Sequence, residues 1–285
     1  MLIISMAIFG TLAPFVRSIS VSSAELALYR AVLAAILIGL YLLVTKQKIP
    51  FGKIRRSVPL LLLSGIAMGI NWILLFEAYK YTTVSVATLS YYFAPVLVTV
   101  ICPILFREKM TIKQIICFIM STIGLVLVIG ITDFGGGSKN GVGILFGLGA
   151  AVFYATVIIL NKFIKGVAGI QRTFLQFIAA VIILIPYVAF TGGVTLGGVD
   201  TTGWICLLTV GVIHSAVSYC MYFSALKEVP GQTAAILSYA DPLVAVIISV
   251  AVLGEPITLV QLIGDILILG FTLLNEIDLK SRKSL

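Results

Sequence analysis

Ten long apolar runs, separated by short polar breaks, constrain the fold of this 285-residue chain more than any other feature. They lie at 2–17, 23–45, 58–79, 83–105, 112–132, 141–160, 172–190, 202–224, 232–252 and 258–277. A transmembrane helix needs about 20 apolar residues, whereas the strands of a membrane barrel alternate over about ten. Backbone groups in lipid must bond to one another, so these runs predict helices. The predicted fold is an all-α integral membrane protein with ten transmembrane helices.

Composition excludes the main alternatives. Hydrophobic residues make up 60% of the chain and charged residues 11%, whereas soluble domains carry about 25% charged residues. A soluble enzyme and a disordered chain are therefore excluded. The net charge of +8 does not indicate nucleic-acid binding, because the basic residues flank the runs. The four cysteines lie inside apolar stretches without a nearby Cys/His cluster, so we expect no metal, no disulfide framework and no cofactor.

The basic residues predict the orientation. With both termini on one side, that side holds 15 of the 19 Lys and Arg residues, three lie on the other side, and Arg30 lies inside a run. Cytoplasmic loops carry the excess of Lys and Arg, so both termini are predicted to be cytoplasmic. An even number of spans is needed for this, which supports ten. We expect a multi-pass protein of the cell (plasma or inner) membrane.

The two halves of the chain resemble each other at an offset of 147 residues. The matching pairs are Ala78 and Ala225, Lys80 and Lys227, Tyr92 and Tyr239, Pro95 and Pro242, Glu108 and Glu255, Thr111 and Thr258, and Gln114 and Gln261. Each half has five runs, so the second half enters the membrane from the opposite face. This predicts two five-helix inverted-topology repeats, the architecture of many secondary transporters. The predicted units are 1–132 and 141–277, followed by a cytoplasmic tail at 278–285.

Short motifs in both halves resemble one transporter family. They are Tyr29-Arg30, Phe76-Glu77-Ala78, Ala94-Pro95 and Arg107-Glu108-Lys109, followed by Phe223-Ser224-Ala225-Leu226, Asp241-Pro242 and Leu253-Gly254-Glu255-Pro256. The chain resembles the EamA-type exporters of the drug/metabolite transporter superfamily over nearly its whole length. The resemblance implies ten helices in two inverted repeats around a cavity lined by the first four helices of each repeat. It also implies export of amino acids, nucleobases, vitamins or drugs.

Asp241 is the strongest candidate for a transport role. A carboxyl group at the middle of a span costs about 2.5–3.5 kcal/mol on insertion scales, and intramembrane ionisable residues are functional candidates by default. Asp241 could bind a substrate amine, carry a coupling proton, or bond to local backbone. Ser238 lies on the same helix face. Pro95 and Pro242 are expected to kink their helices and free carbonyl groups.

Other polar and aromatic residues are candidates for substrate contact. The sole histidine, His214, lies near the middle of the eighth run, with Ser218 one turn later and Asn71 at the position matching Ser218. These groups could face one cavity or hold helices together. Arg30 could pair with Glu77, reach the membrane interface, or bind a substrate carboxylate.

Six tyrosines are candidates for the cavity wall. They are Tyr91, Tyr92, Tyr154, Tyr219, Tyr222 and Tyr239, of which Tyr91 and Tyr154 are the preferred substrate contacts. Packing and interface positions are the alternative.

These features favour a secondary transporter that exports amino acids or related metabolites, with small-molecule substrate and protons as candidate ligands. A monomer and a homodimer are both compatible with the sequence. The alternatives are a drug, nucleobase or vitamin permease, a lipid-linked sugar flippase, or a channel. An integral-membrane enzyme is disfavoured, because the sequence holds no clear acid–base pair or nucleophile.

Overall fold

The computed structural model describes residues 1–106, 110–129, 139–164, 166–225 and 237–278, and within these ranges the regular structure is entirely helical. The helices are α1 Leu2–Gly10, α2 Leu12–Arg17, α3 Ser23–Val44, α4 Phe51–Ile54, α5 Val58–Tyr81, α6 Val84–Tyr91, α7 Ala94–Phe106, α8 Ile112–Ile129, α9 Lys139–Phe163, α10 Gly169–Thr191, α11 Thr201–Thr209, α12 Ser218–Ala225, α13 Ala240–Ile247 and α14 Leu259–Asp278. Two π-helical segments, Val210–Val217 and Ile248–Val252, follow α11 and α13 without a break. The motif Arg107-Glu108-Lys109, Leu226 and residues 279–285 of the predicted tail lie outside the described residues.

Six helices of the described part are long and apolar enough to cross a membrane. They are Ser23–Val44, Arg55–Tyr81, Val84–Cys102, Lys139–Phe163, Gly169–Thr191 and Thr201–Tyr222. Shorter apolar helices cover Leu2–Arg17, Ile112–Val128, Ala240–Val252 and Leu259–Asn275. Each of the ten predicted runs thus contains helix, while the arrangement as two inverted repeats stays a prediction.

Three of the apolar runs are interrupted rather than continuous. The interruptions lie at Thr11, at Tyr92–Phe93 and at Tyr239. A proline follows each of them within three residues, namely Pro14, Pro95 and Pro242. A proline ring lacks an N–H group and clashes with the carbonyl four residues earlier. The helix therefore ends ahead of the proline and restarts with the proline in its first turn.

The helices pack as a bundle, and two of them, α8 and α14, form a separate pair at its side. Helix α5 packs against α9, and α10 packs against α3 and α5, whereas α8 and α14 pack mainly on each other. Glycines permit the contact in this pair: a Cβ atom at Gly264 would lie 2.6 Å from the Gly124 carbonyl oxygen. Small residues at such positions let membrane helices approach closely.

Gly264→Ala is expected to lower the thermal stability of the purified protein, since the added methyl group must push α14 away from α8. The matched control is Gly270→Ala in the same helix, where an added Cβ atom meets no atom within 4 Å. Thermal unfolding in detergent should show a loss of stability for Gly264→Ala, of roughly 1–3 kcal/mol, and none for Gly270→Ala. Equal unfolding temperatures for the two variants would contradict this packing.

Candidate functional site

A cavity of about 480 Å³ lies inside the helix bundle. Sites for small molecules usually measure about 300–1,000 Å³. Among the described residues, its wall draws on the first four apolar runs of each half, and α8 and α14 contribute none. This agrees with the cavity that the family resemblance implied.

The two ends of the cavity differ in exposure. At one end the wall includes Asn161 and Arg172, which are partly exposed. At the other end it includes Tyr79 and Thr88, which are 6% and 3% exposed. We call these the Arg172 end and the Tyr79 end. Tyr79 and Thr88 are thus more completely buried than Asn161 and Arg172, although Thr173 and Gln176 beside Arg172 are buried as well.

Asp241 lies in the cavity wall, in the first turn of α13 directly after the interruption at Tyr239. The phenolic O–H group of Tyr92 donates a hydrogen bond to Asp241 Oδ2. Tyr92 itself lies at the interruption between α6 and α7. The two broken helices therefore bring a carboxyl group and its hydrogen-bond donor together beside the cavity. Ser238, the predicted companion of Asp241, is also in the wall.

Arg30 enters the cavity wall from α3 and is only 4% exposed. Its Nε–H donates to Ser215 Oγ at 2.8 Å, and Ser215 in turn donates to the Val210 carbonyl at 2.9 Å inside the first π-helical segment. The guanidinium carbon lies 4.9 Å from the centre of the Trp72 ring and 5.8 Å from that of Phe76. A cation over aromatic faces is stabilised by about 0.5–2 kcal/mol.

Of the alternatives for Arg30, the ion pair with Glu77 is not formed. Glu77 pairs with Lys80 of the same helix at 3.1 Å, and both side chains are partly exposed. The reason is that the Arg30 side chain turns inward to Ser215 and the Trp72 ring.

Aromatic rings form much of the wall. All six candidate tyrosines line the cavity, namely Tyr91, Tyr92, Tyr154, Tyr219, Tyr222 and Tyr239. The Tyr91 and Tyr154 rings stack with centroids 5.0 Å apart and an interplanar angle of 20°, and Tyr92 meets Tyr91 edge-on at 5.5 Å. Trp72 also lines the cavity and stacks on Phe177 at 5.1 Å. Flat, mainly apolar surfaces with hydroxyl groups suit a ligand with an apolar or ring-shaped body.

Asn71 and Ser218 are not in the wall. Asn71 is 3% exposed and donates to the Ala150 carbonyl at 2.7 Å, which joins α5 to α9. Ser218 is fully buried and donates to the Ile213 carbonyl at 2.8 Å. Asn71 thus makes the interhelical bond that was the alternative to substrate contact, whereas Ser218 bonds within its own helical segment. Pro242 is buried as well and does not line the cavity.

His214 also lies outside the wall and supports the first helix interruption. Its Nε2 atom is 3.0 Å from Thr11 Oγ1, and its Nδ1 atom is 3.4 Å from the Thr209 carbonyl oxygen. The imidazole ring also contacts the Phe15 ring, with centroids 4.9 Å apart. His214 therefore contacts the residue at the α1–α2 break and a residue of α2.

Polar residues at the Arg172 end were not among the predicted site residues. Arg172 donates to the Asn161 carbonyl at 3.2 Å. Gln176 donates to Ser64 Oγ at 2.5 Å and to Asn161 Oδ1 at 2.8 Å. In the sequence, Arg172 counted only as one of the basic residues at a run end. Gln176, a polar residue four positions later on the same helix, was the available signal.

A hydrogen-bonded cluster at the Tyr79 end joins the two halves of the chain. Arg17 forms an ion pair with Glu255 and donates to the Tyr79 and Thr82 carbonyls at 2.9 and 2.7 Å. Glu255 accepts a second bond from the Val84 N–H, at 2.8 Å. We call this arrangement the Arg17–Glu255 cluster.

The segment after α13 is shaped for this contact. Gly254 has φ +63°, a conformation that favours glycine. Glu255 then accepts a hydrogen bond from Ser249 Oγ as well as those from Arg17 and Val84. The Gly-Glu-Pro motif thus places its glutamate at the ends of α2, α5 and α6.

The model of the EamA-like transporter family matches residues 1–130 and again residues 141–276. The chain belongs to this family. Its helices agree with a multi-pass membrane protein, which is the setting of the family.

Of three similar proteins, two carry transporter names. The chain is 31% identical over 272 residues to the uncharacterized transporter YxxF of Bacillus subtilis (strain 168), covering 94% of this chain and 85% of that protein. It is 30% identical over 198 residues to an uncharacterized transporter of Archaeoglobus fulgidus, covering 69% and 68%. It is also 25% identical over 268 residues to protein PecM of Dickeya dadantii (strain 3937), covering 91% and 86%.

A solved crystal structure is similar over 98% of this chain and 96% of its own, with a TM-score of 0.66 and 16% identity. At that identity the likeness concerns the fold alone.

Proposed function

We propose that this member of the EamA-like family is a secondary transporter that exports an amino acid or a related small metabolite through the central cavity. The observation that carries the proposal is a cavity of ligand size whose wall contains both a carboxyl group, that of Asp241, and a guanidinium cation, that of Arg30. A zwitterion needs one partner of each sign. The tyrosines and Trp72 supply a surface for its side chain.

Alternating access between two states is the proposed mechanism. Two inverted five-helix units would each change packing while the site stays near the midplane. The separate family matches to 1–130 and 141–276 support such units. The difference in exposure between the Arg172 end and the Tyr79 end supports a state open toward Arg172. With both termini in the cytoplasm, as the charge bias favours, that end faces the cytoplasm.

Asp241 is proposed to carry the coupling proton or to hold the substrate amine. Its carboxyl group lies beside the cavity, and the Tyr92 hydroxyl donates to it. A protonated Asp241 would release a bound amine, so one residue could link the two ligands. Drug, nucleobase and vitamin transport, and lipid-linked cargo, are the alternative functions that the experiment must separate.

Counterflow in proteoliposomes tests the proposal. Labelled amino acids, nucleobases, riboflavin, cationic dyes and a lipid-linked sugar are offered to purified protein, each with and without a pH gradient. We expect exchange of amino acids. Exchange of another class alone would redirect the substrate assignment, and no exchange of any solute by monodisperse protein would contradict secondary transport.

Asp241→Asn assigns the role of the carboxyl group in the same assay. Loss of the response to the pH gradient with retained exchange is expected for a proton carrier, and loss of both for an amine ligand. The matched control is Asp265→Asn, since Asp265 is 4% exposed but lies in α14, outside the cavity wall. Unchanged gradient-driven flux in Asp241→Asn would rule out both roles.

A further inference from the structure

The hydrogen-bonding capacity of Arg30 is largely unused. An arginine has five N–H groups in a planar fork, and only the Nε–H of Arg30 is engaged, by Ser215. Among the described residues, its two Nη atoms make no hydrogen bond and Arg30 forms no ion pair. The residue is nonetheless only 4% exposed, and it lines the cavity.

A buried, unpaired guanidinium group is costly unless an anion meets it. Asp241, the acidic residue of the same wall, accepts a hydrogen bond from Tyr92 and forms no ion pair with Arg30 among the described residues. Ser215 on one side and the Trp72 and Phe76 rings near the guanidinium group limit its rotation. A fixed planar fork with free Nη–H groups matches the two oxygens of a carboxylate.

We infer that the cavity binds its substrate through a carboxylate group, which Arg30 receives in two parallel hydrogen bonds. The inference rests on the proposed function and narrows its substrate class to carboxylates with an apolar body. A cationic drug and an uncharged nucleobase have no such group, whereas an amino acid has one. Arg30 is then the residue that selects the class of substrate.

A binding assay with two ligands of similar shape tests the inference and does not require transport. The carboxylate 3-phenylpropionate and the amine phenethylamine share a phenyl ring on a short chain and differ in the sign of their charge. The chain contains two tryptophans, Trp72 in the wall and Trp204, which is 39% exposed. A Trp204→Phe background therefore leaves Trp72 as the only tryptophan, and its fluorescence reports binding in the cavity.

In that background we expect 3-phenylpropionate to bind about tenfold or more tightly than phenethylamine. Arg30→Gln should abolish the preference, and Arg30→Lys, which keeps the charge without the fork, should restore it in part. Lys80→Gln removes one cation outside the cavity and should leave the preference unchanged.

Tighter binding of the amine, or an unchanged preference in Arg30→Gln, would overturn the inference. Binding with the expected preference by a protein that fails in counterflow would uphold the carboxylate site and contradict the transport proposal. Comparing the unfolding temperatures of Arg30→Gln and Arg30→Lys separates loss of the site from loss of the fold.

A second inference comes from the Arg17–Glu255 cluster, which the substrate site does not use. Arg17 bonds to the carbonyl of Tyr79, and the Tyr79 and Thr88 side chains form the end of the cavity directly beneath. Glu255 comes from the other half of the chain and is 12% exposed at its side chain. We propose that this ion pair is a gate that closes the Tyr79 end.

Labelling of an introduced cysteine tests the gate. Thr88→Cys is made in a background without the four native cysteines and is treated with a charged, membrane-impermeant thiol reagent from the Tyr79 side. Glu255→Gln should raise its labelling rate about tenfold, because the ion pair is lost. Ser249→Ala removes one of the bonds to Glu255 and should give a smaller rise.

Glu77→Gln is the matched control, because it breaks the Glu77–Lys80 pair at the same end of the protein. It should leave the rate at the background value. A second reporter, Asn161→Cys at the Arg172 end, should react no faster in Glu255→Gln. An unchanged Thr88→Cys rate in Glu255→Gln, or faster labelling at both reporters, would contradict a gate.

Discussion

The lack of water in a lipid bilayer is the constraint on which this structure depends. A backbone group that faces lipid finds no water to bond, so irregular backbone must lie against protein or a cavity. The interruptions at Tyr92–Phe93 and Tyr239 obey this rule, because Tyr92 and Tyr239 line the cavity. The break at Thr11 adjoins Leu12, another wall residue. The interruptions ahead of the three prolines thus lie beside the cavity.

The charged side chains of the bundle use their hydrogen-bonding capacity in different ways. Glu255 and Arg17 bond to each other and to backbone groups, so their capacity is used within the protein. Asp241 receives the Tyr92 hydroxyl. Arg30 contacts two aromatic rings and one serine, and among the described residues its remaining N–H groups make no hydrogen bond. The Arg17–Glu255 ion pair, whose hydrogen bonds are made within the protein, suits a gate. The Arg30 guanidinium group, whose Nη–H groups make no such bond, suits ligand binding.

Local sequence determined much of this architecture. Apolar run length was enough to locate the helices, and charge inside a run was enough to find Arg30 and Asp241, which share one wall with Tyr91, Tyr154 and Ser238. Polarity alone does not distinguish a cavity residue from an interhelical bond. By polarity, three other residues were equally good candidates for the cavity wall, yet they lie outside it and bond to neighbouring protein groups: Asn71, His214 and Ser218.

Long-range pairing was the part that sequence could not supply. Arg17 and Glu255 are 238 positions apart, and nothing in either local sequence names the other as partner. The match between the two halves of the sequence pairs Glu255 with Glu108, but it does not predict that Glu255 contacts Arg17. Similarly, Arg172 stood at the end of a run, where a basic residue is expected from topology, and only the folded chain places it at the cavity.

The central claim is that one cavity opens at its two ends in turn, and distances between spin labels test it most directly. One pair of labels, at Ser20 and Leu259, spans the Tyr79 end, and a second, at Ile4 and Phe163, spans the Arg172 end; all four positions are exposed. The account predicts that an added carboxylate ligand populates a state in which the first distance lengthens while the second shortens. Two distances that stay fixed, or that lengthen together, would contradict alternating access through this cavity.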